Sequence, residues 1–474
     1  MAGPELGPSE PSNPVLFAFQ YLVGPTVLSC CILASRWRPL WARLTFFVWY
    51  TTHIFSALSS VPIRRTGYFW SDYSLGSTLG GDIVKTMYML FFVDPVREWE
   101  WASHGVNPSL GRRIECTVEE EEDERKRKGT GTGKSIANLP WWKRVYWILC
   151  GAFTMRGVGW NYQVSNIPLR SESSQSTSQF LHLTFLRILS SFLLLDSSKY
   201  LINTTPFFTN PDPTISMRSQ SYVLQAYYAL LWFTIPYASL KGHYSIVAFV
   251  AVFSGYSTQE DWPNLFGSWG DAWSVKNVWG KVWHQMYRRQ YTTIAKSIIT
   301  KLYIHPRSVL SYLIHLYVAF LISGISHSFG DYTLGLGLGF RYGMGFGRIT
   351  MPFFILQPLA IIFEHLISTF YTSFLFFITL TTGHPTRWWT ESQGDGRWAP
   401  WVRMWIGYGW TLGWFTYSVS WFIDSAVQAQ VSSQISGGSG SGPKEVFEMR
   451  YSVVRALVGW ISARLGNSGR AGGS

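Results

Sequence analysis

Apolar runs long enough to cross a bilayer recur along the whole chain, separated by short polar segments. A membrane-spanning helix needs about 20 mostly apolar residues. The runs that come near this length are 14–34, 40–61, 221–240, 309–327, 349–378 and 401–423. Shorter or charge-interrupted runs are 81–93, 142–154, 181–202 and 243–257. The pattern predicts an all-α, polytopic membrane protein with about eight to ten transmembrane helices.

Three features of the chain refine the predicted topology. Run 349–378 is too long for one straight crossing, so it should tilt or break, with Pro358 as the candidate break. The basic segment "RWRPLWAR" at 36–43 joins the first two runs, which favours a cytosolic loop and a lumenal N-terminus. The acidic, Pro-rich start has no positive region, so we expect the first span to act as its own insertion signal.

The domain organisation follows from where polar composition interrupts the apolar runs. We predict one membrane-embedded domain over 1–436, a flexible linker at 437–443 and an amphipathic, interfacial tail at 444–474. The charge run in 118–135 predicts a solvated, disordered loop. Its "GTGTGKS" end is not a phosphate-binding loop, because Lys128 stands where the first Gly should be and no strand precedes it.

Composition narrows the function classes. Only 14% of residues are charged, and the chain has 25 Trp, 25 Tyr and 32 Phe, which excludes an ordinary soluble protein. The net charge of +12 lies mostly in loops and at span ends, so it indicates topology and anionic lipid rather than nucleic acid. The four Cys have neither disulfide nor zinc spacing, and no metal site is predicted. A sequon at Asn203 follows a possible span and carries little weight.

An unusual density of ionisable and aromatic residues occurs in "NVWGKVWHQMYRRQY", residues 277–291. On one continuous helix, a single stripe would contain Asn277, Lys281, His284 and Arg288, with Trp279 and Trp283 on a neighbouring stripe. One interpretation is an interfacial helix whose cations contact lipid phosphates. The other is the floor of a site that faces the membrane interior.

The next span carries a second candidate group. His327 lies at its end, after the small residues Ser323, Gly324 and Ser326. Ionisable residues inside spans are costly and therefore predict function, whereas His315 on the same span is our candidate for a structural histidine. In the run that follows, Gln357 and Glu364 are seven residues apart and share a helix face, again at an expensive depth.

Three motifs in order, "WGKVWHQ", "FLISGISHS" and "FFILQPLAIIFE", together resemble the membrane-bound O-acyltransferase superfamily. The nearest resemblance is to its wax-synthase-like branch, which includes fungal terpenoid and meroterpenoid O-acetyltransferases, and "RGVGWNYQVSNIP" at 156–168 is similar to a stretch common there. The resemblance spans residues 156 to about 424. Ala360 stands where we expect Gly in that branch, which could reshape the pocket nearby. By this resemblance, His327 takes the catalytic histidine position and His284 the second polar position.

The resemblance implies helices arranged around an intramembrane catalytic chamber, in the endoplasmic reticulum membrane. The implied reaction transfers acetyl from acetyl-CoA, a co-substrate and not a bound cofactor, to a hydroxyl of a hydrophobic terpenoid. His327 would remove the alcohol proton, and His284 or Asn277 would stabilise the developing oxyanion. Because no Cys neighbours either His, we favour direct transfer without an acyl-enzyme. One alternative is a long-chain wax-ester synthase. Another is a transporter or receptor, although the sequence shows no sign of the paired halves that a transporter would have.

The predicted binding residues form two groups. Coenzyme A carries phosphates that cannot enter the bilayer, so its head should meet cations and polar groups at the boundary. The residues predicted to contact this co-substrate are Asn277, Lys281, Trp283, Arg288 and Arg289. Those predicted to contact the acceptor alcohol are Trp279, Ser323, Ser326, Gln357 and Glu364.

Overall fold

The computed structural model describes most of the apolar chain. The described residues are 19–35, 39–60, 69–100, 136–167, 176–209, 216–338, 346–382, 399–436, 449 and 451–468. The predicted charged loop 118–135 and linker 437–443 lie outside them. All regular elements in the described residues are helical, which confirms the all-α class.

The apolar runs form helices as predicted, but several helices begin or end at other residues than the runs do. In chain order they are α1 (Gly24–Ala34), α2 (Leu40–Ser60), α3 (Phe69–Phe91), α4 (Trp141–Phe153), α5 (Thr177–Thr204), α6 (Tyr222–Phe253), α7 (Arg288–Lys301), α8 (Val309–Leu338), α9 (Met351–Thr382), α10 (Ala399–Ser436) and α11 (Val453–Ser468). A π-helical turn, Phe19–Val23, precedes α1.

By length and composition, three of the described helices can cross a membrane: Thr177–Thr204, Val309–Leu334 and Met351–Tyr371. The larger number of spans stays a prediction. Treating 221–240 and 243–257 as two spans was wrong, because α6 runs unbroken from the first into the second and ends at Phe253. The polar residues between these runs do not interrupt a helix, since Lys and His tolerate helical geometry. Helix α9 also continues through Pro358, so no break occurs at that residue.

Two helix pairs form the most extensive helix–helix contacts in the described part of the chain. Helix α3 packs along α8, α5 packs along α6, and α8 also contacts α7 and α9. A buried apolar cluster joins α6, α9 and α10, with Trp232, Phe353 and Ile423 among its members. On the opposite faces, large apolar side chains such as Leu366 and Phe370 are exposed, as expected of surfaces that contact lipid.

Carboxylates within the apolar helices accept hydrogen bonds from backbone amides where other helical segments begin. Such amides lack intrahelical partners and carry partial positive charge, so a carboxylate there is satisfied without a counter-cation. The pairs are Asp196 with Val454 N at 3.0 Å, Asp331 with Thr350 N at 3.0 Å and Asp424 with Met217 N at 2.6 Å. Acidic residues that are expensive at membrane depth therefore connect helices.

The tail helix α11 begins at the segment that Asp196 caps. Leu457, Trp460 and Ile461 on this helix are exposed. Their exposure is compatible with an interfacial position, which stays a prediction. Asn203, the sequon residue, lies in the last turn of α5.

Candidate active site

The segment that carries His284 is a loop and not a continuous helix. It begins with the turn Val275–Asn277, continues as a π-helical turn, Val278–Val282, and becomes extended at Trp283, where ψ is 149°. Helix α7 starts only at Arg288. The predicted stripe through Asn277, His284 and Arg288 was therefore wrong. We call residues 275–287 the histidine loop.

Gln285 closes the histidine loop. Its Nε2 donates to the carbonyls of Trp279, at 2.9 Å, and Trp283, at 2.6 Å. Its Oε1 accepts from Arg288 Nη1 at 2.8 Å. These bonds satisfy carbonyls that leave the helical pattern, and because the same side chain adjoins His284 in sequence, they fix where the imidazole lies.

A neighbouring segment must approach the histidine loop closely. Gly267 N donates to Val282 O at 2.9 Å. A Cβ on Gly267 would collide with the carbonyl of Lys281. Only glycine permits this backbone contact.

The stretch 156–168 supports the histidine loop from the other side. Arg156 is buried and donates to the carbonyls of Pro263, at 2.8 Å, and Asn264, at 2.7 Å. Asn166 Nδ2 donates to Gly280 O at 3.0 Å. Sequence reasoning singled out this stretch but gave Arg156 and Asn166 no role, because the carbonyls that they bind are more than a hundred residues away.

Glu364 holds the start of the histidine loop. Its carboxylate accepts from Val275 N at 2.6 Å, Lys276 N at 3.0 Å and Trp410 Nε1 at 2.8 Å. A carboxylate with three donors has little capacity left for a substrate. The geometry therefore favours a positioning role for Glu364, in place of the predicted contact with the acceptor.

Gln357 is similarly engaged with the protein. It is fully buried, and its Oε1 accepts from Trp279 Nε1 at 3.2 Å and Trp414 Nε1 at 3.1 Å. Its Nε2 donates to Phe353 O at 2.9 Å. This side chain orients Trp279, so it acts on the site through a neighbour.

Removing the Glu364 carboxylate should loosen the histidine loop. We expect Glu364→Ala to lower both the melting temperature and kcat, since each hydrogen bond to a charged group contributes about 1.5–3 kcal/mol. Glu364→Gln, which retains an acceptor oxygen, should keep part of both. The matched control is His365→Ala, an exposed neighbour on α9. Melting curves and kcat unchanged in Glu364→Ala would contradict the positioning role.

His327 is held in one tautomer by its own helix. Its Nδ1 lies 2.9 Å from the carbonyl oxygen of Ser323, which can only accept a hydrogen bond. Nδ1 must therefore carry the proton, and in the neutral ring Nε2 carries the lone pair. The ring also packs against Phe354, with centroids 4.8 Å apart. This arrangement suits a general base.

Small residues beside His327 bring other helices close. Gly324 leaves room for Met351 and Phe354 of α9. The hydroxyl of Ser326 donates to Ile322 O at 2.9 Å, and the hydroxyl of Tyr291 on α7 interacts with Ser323 and Ser326. The prediction that the two serines contact the acceptor remains a prediction, and Tyr291 is a neighbour that the sequence did not identify.

His284 approaches His327 from the histidine loop. Burial lowers the pKa of His284, and the nearby charges of His327 and Arg156 lower it further. Within the described part of the chain, His284 Nδ1 is buried without a hydrogen-bond partner, and so is Asn277 Nδ2. Buried polar atoms are rarely left unpaired, so these atoms are candidates to contact a substrate. The structure thus brings two histidines from separate elements into one site.

The predicted cations occupy different environments. Arg288 Nη1 donates to Gly280 O at 2.8 Å, in addition to its bond with Gln285. The guanidinium of Arg289 lies over the rings of Tyr162, at 3.2 Å, and Trp99, at 4.7 Å. Lys281 is exposed. Both arginines are thus engaged with the protein, and the prediction that they bind phosphate stays a prediction.

Comparison with known proteins finds a family similarity in the part of the chain that contains these residues. Residues 262–356 match the model of the membrane bound O-acyl transferase family, and this segment contains the histidine loop and His327. No solved structure gives a significant match to the chain.

The chain is also similar to curated fungal proteins. It is 23% identical to acetyltransferase ple2 of Rhodocybe pseudopiperita over 86% of this chain and 89% of the relative. It is 25% identical to acetyltransferase eriL of Hericium erinaceus, over 60% and 68%. It is 27% identical to O-mevalon transferase yanI of Aspergillus niger, over 66% and 69%. The chain is therefore an enzyme that transfers an acyl group to a hydroxyl oxygen, and its segment 262–356 is similar to the membrane bound O-acyl transferase family.

Proposed function

We propose that the enzyme transfers acetyl from acetyl-CoA to a hydroxyl of a hydrophobic terpenoid or meroterpenoid alcohol in the endoplasmic reticulum membrane. The observation that carries the proposal is the Nδ1 contact of His327 with Ser323 O, which leaves Nε2 as a base beside His284. The acetyl group is favoured because relatives such as ple2 and eriL are named acetyltransferases.

The proposed reaction proceeds in one ternary complex. Nε2 of His327 accepts the hydroxyl proton while the alcohol oxygen attacks the thioester carbonyl carbon. The tetrahedral intermediate collapses, the C–S bond breaks, and the departing sulfur takes the proton from the His327 imidazolium. The products are the acetate ester and free coenzyme A.

The developing oxyanion needs a donor that is already in place. His284 is kept neutral by its lowered pKa, so one of its ring nitrogens carries a proton and can donate. The amide of Asn277 is a second buried donor without a protein partner in the described structure. A pre-positioned donor of this kind contributes about 3 kcal/mol to transition-state stabilisation.

Aromatic rings beside the histidines favour an apolar acceptor. Trp279 contacts Trp283, Phe320 and Phe354, with centroids 5.6–6.4 Å apart. Such rings offer a large apolar surface and few hydrogen-bonding groups, so a hydrocarbon-rich alcohol would bind better than a sugar or a polar metabolite.

The acyl group can be tested directly. Purified enzyme is incubated with terpenoid alcohols and acetyl-CoA, and the products are weighed by mass spectrometry. Acetate esters are expected. Because two relatives are named O-mevalon transferases, mevalonyl-CoA is the second donor to test, and palmitoyl-CoA tests the wax-ester alternative. A product formed only with palmitoyl-CoA would contradict the proposal.

The aromatic contacts of Arg289 lead to a prediction about kinetics. A desolvated cation–π contact contributes about 2 kcal/mol, so Arg289→Gln should lower stability and kcat by displacing the start of α7. We expect the acetyl-CoA KM to stay within about threefold of wild type, well below the tenfold that 1.4 kcal/mol represents. Steady-state kinetics with acetyl-CoA varied provide the check. A rise in KM alone, by tens-fold, would instead support phosphate binding at Arg289.

A further inference from the structure

A pocket of about 210 Å³ lies between α5, α6 and the segment that begins at Trp262. It adjoins the reaction centre through Phe266, which lines it and whose ring lies 5.2 Å from that of Trp283 and 6.2 Å from that of His284. The same segment is tied down by Arg156 through the carbonyls of Pro263 and Asn264. The pocket therefore has a fixed position relative to His284.

Two cations line this pocket. Arg187 reaches it from the apolar helix α5 and Lys241 from α6, and no carboxylate is among the residues that line it. Neither side chain has a hydrogen-bond partner in the described structure, and the Lys241 ammonium lies 5.5 Å from the centroid of the Tyr237 ring. Arg187 lies on a helix that is long and apolar enough to cross a membrane, where an unpaired cation is costly. This cost indicates that an anion completes the site.

Several other charged residues of the described structure are satisfied by the protein. Asp196, on the same helix as Arg187, accepts from Val454 N, and Glu364 has three donors. Arg156 gives its protons to carbonyls and to the hydroxyl of Tyr244. Arg187 and Lys241 differ from these residues because they line a pocket and donate no hydrogen bond to the described protein.

We propose that this pocket binds a phosphate group of the acyl-CoA co-substrate, an inference that rests on the proposed function. Guanidinium and ammonium groups together provide the charge-assisted donors that phosphate oxygens require. The amide of Asn264, which also lines the pocket, adds a neutral donor. A phosphate bound in this pocket would hold the rest of the co-substrate close to His284, because Phe266 separates the two. Arg288 and Arg289 would keep their contacts with the protein.

The test is equilibrium binding of free coenzyme A to the full-length protein in phosphatidylcholine nanodiscs, measured by calorimetry. Arg187→Gln and Lys241→Gln should each raise the Kd by about tenfold or more, as expected for loss of a charge-assisted contact. Arg187→Lys should recover part of the affinity. Arg307→Gln, an exposed residue between α7 and α8, removes the same charge elsewhere and should leave the Kd unchanged.

Three outcomes would overturn the subsite. If wild type binds coenzyme A and both Gln variants bind it equally well, the subsite is excluded while the proposed function stands. The melting temperature of wild type is also compared between phosphatidylglycerol and phosphatidylcholine nanodiscs. If phosphatidylglycerol raises it, and the Gln variants lose this increase but bind coenzyme A as wild type does, the pocket binds a phospholipid headgroup. If wild type neither binds coenzyme A nor uses acetyl-CoA, the proposed function fails together with the subsite. Every variant keeps His284 and His327. A melting curve of each variant distinguishes lost binding from misfolding.

Discussion

Replacing His327 with Ala should reduce acyl transfer by at least about a hundredfold while leaving the protein folded, because the hydroxyl proton then has no acceptor. The fold should survive because the lost contacts are few. They are one hydrogen bond within the same helix and one ring contact with Phe354. The measurement is turnover per mole of purified enzyme at saturating acetyl-CoA, with melting curves to verify folding.

The chain contains a matched control for this variant. His315 lies on the same helix, and its Nδ1 contacts the carbonyl of Ser311 at 2.9 Å, as that of His327 contacts Ser323. His315→Ala should therefore cost similar local contacts with turnover close to wild type. Near-normal turnover in His327→Ala, or equal losses in both variants, would remove the general-base assignment.

The second large effect is expected at His284. His284→Ala should lower kcat by about a hundredfold or more, the cost of removing one oxyanion donor, with a smaller change in the acetyl-CoA KM. His284→Asn should keep part of kcat, since an amide can still donate. If the Ala and Asn variants both resembled wild type, His284 would be a structural residue of the histidine loop.

The pH dependence separates the two histidines. Burial and the charges of His327 and Arg156 lower the pKa of His284, so its ring is neutral throughout the working range and protonates only at more acidic pH. The fall in kcat as pH decreases should therefore report the base and not His284. We expect His284→Asn to lower the whole pH–kcat profile without moving its acid limb. An acid limb that shifts or disappears in this variant would assign the titration to His284.

Local pattern predicted the helical class and most helix positions well. Apolar runs become helices because a backbone in an apolar environment must satisfy its hydrogen bonds internally. Helix bounds were less predictable. Most of the run at 243–257 belongs to α6. Helix α3 begins at Phe69, twelve residues before the run at 81–93. In both cases polar residues at a helix–helix contact do not end the helix.

The sequence supplied candidate residues for the site but not their geometry. The order of the motifs indicated His327 and His284 through a family resemblance. Their catalytic roles stay predictions, and the structure places His284 close enough to His327 for the charge of His327 to lower its pKa. The roles of Gln357 and Glu364 were not visible, since their partners, Trp414 and Val275, are distant in sequence. A polar residue at membrane depth predicts that a partner exists but does not say whether it is a substrate or a backbone amide.

The sequence by itself determined an all-helical, aromatic-rich chain, and its motifs carried the resemblance to acyltransferases. Composition and short motifs are local properties, so they can be recognised without knowledge of tertiary contacts. Only the tertiary structure decided how the chemistry is arranged. Gln285 turns the histidine loop away from a helical path, Glu364 caps its start, and Arg187 is left facing a pocket without a partner. The physical reason is that hydrogen-bond satisfaction is settled between segments far apart in the chain, and spacing within one helix carries no information about those partners.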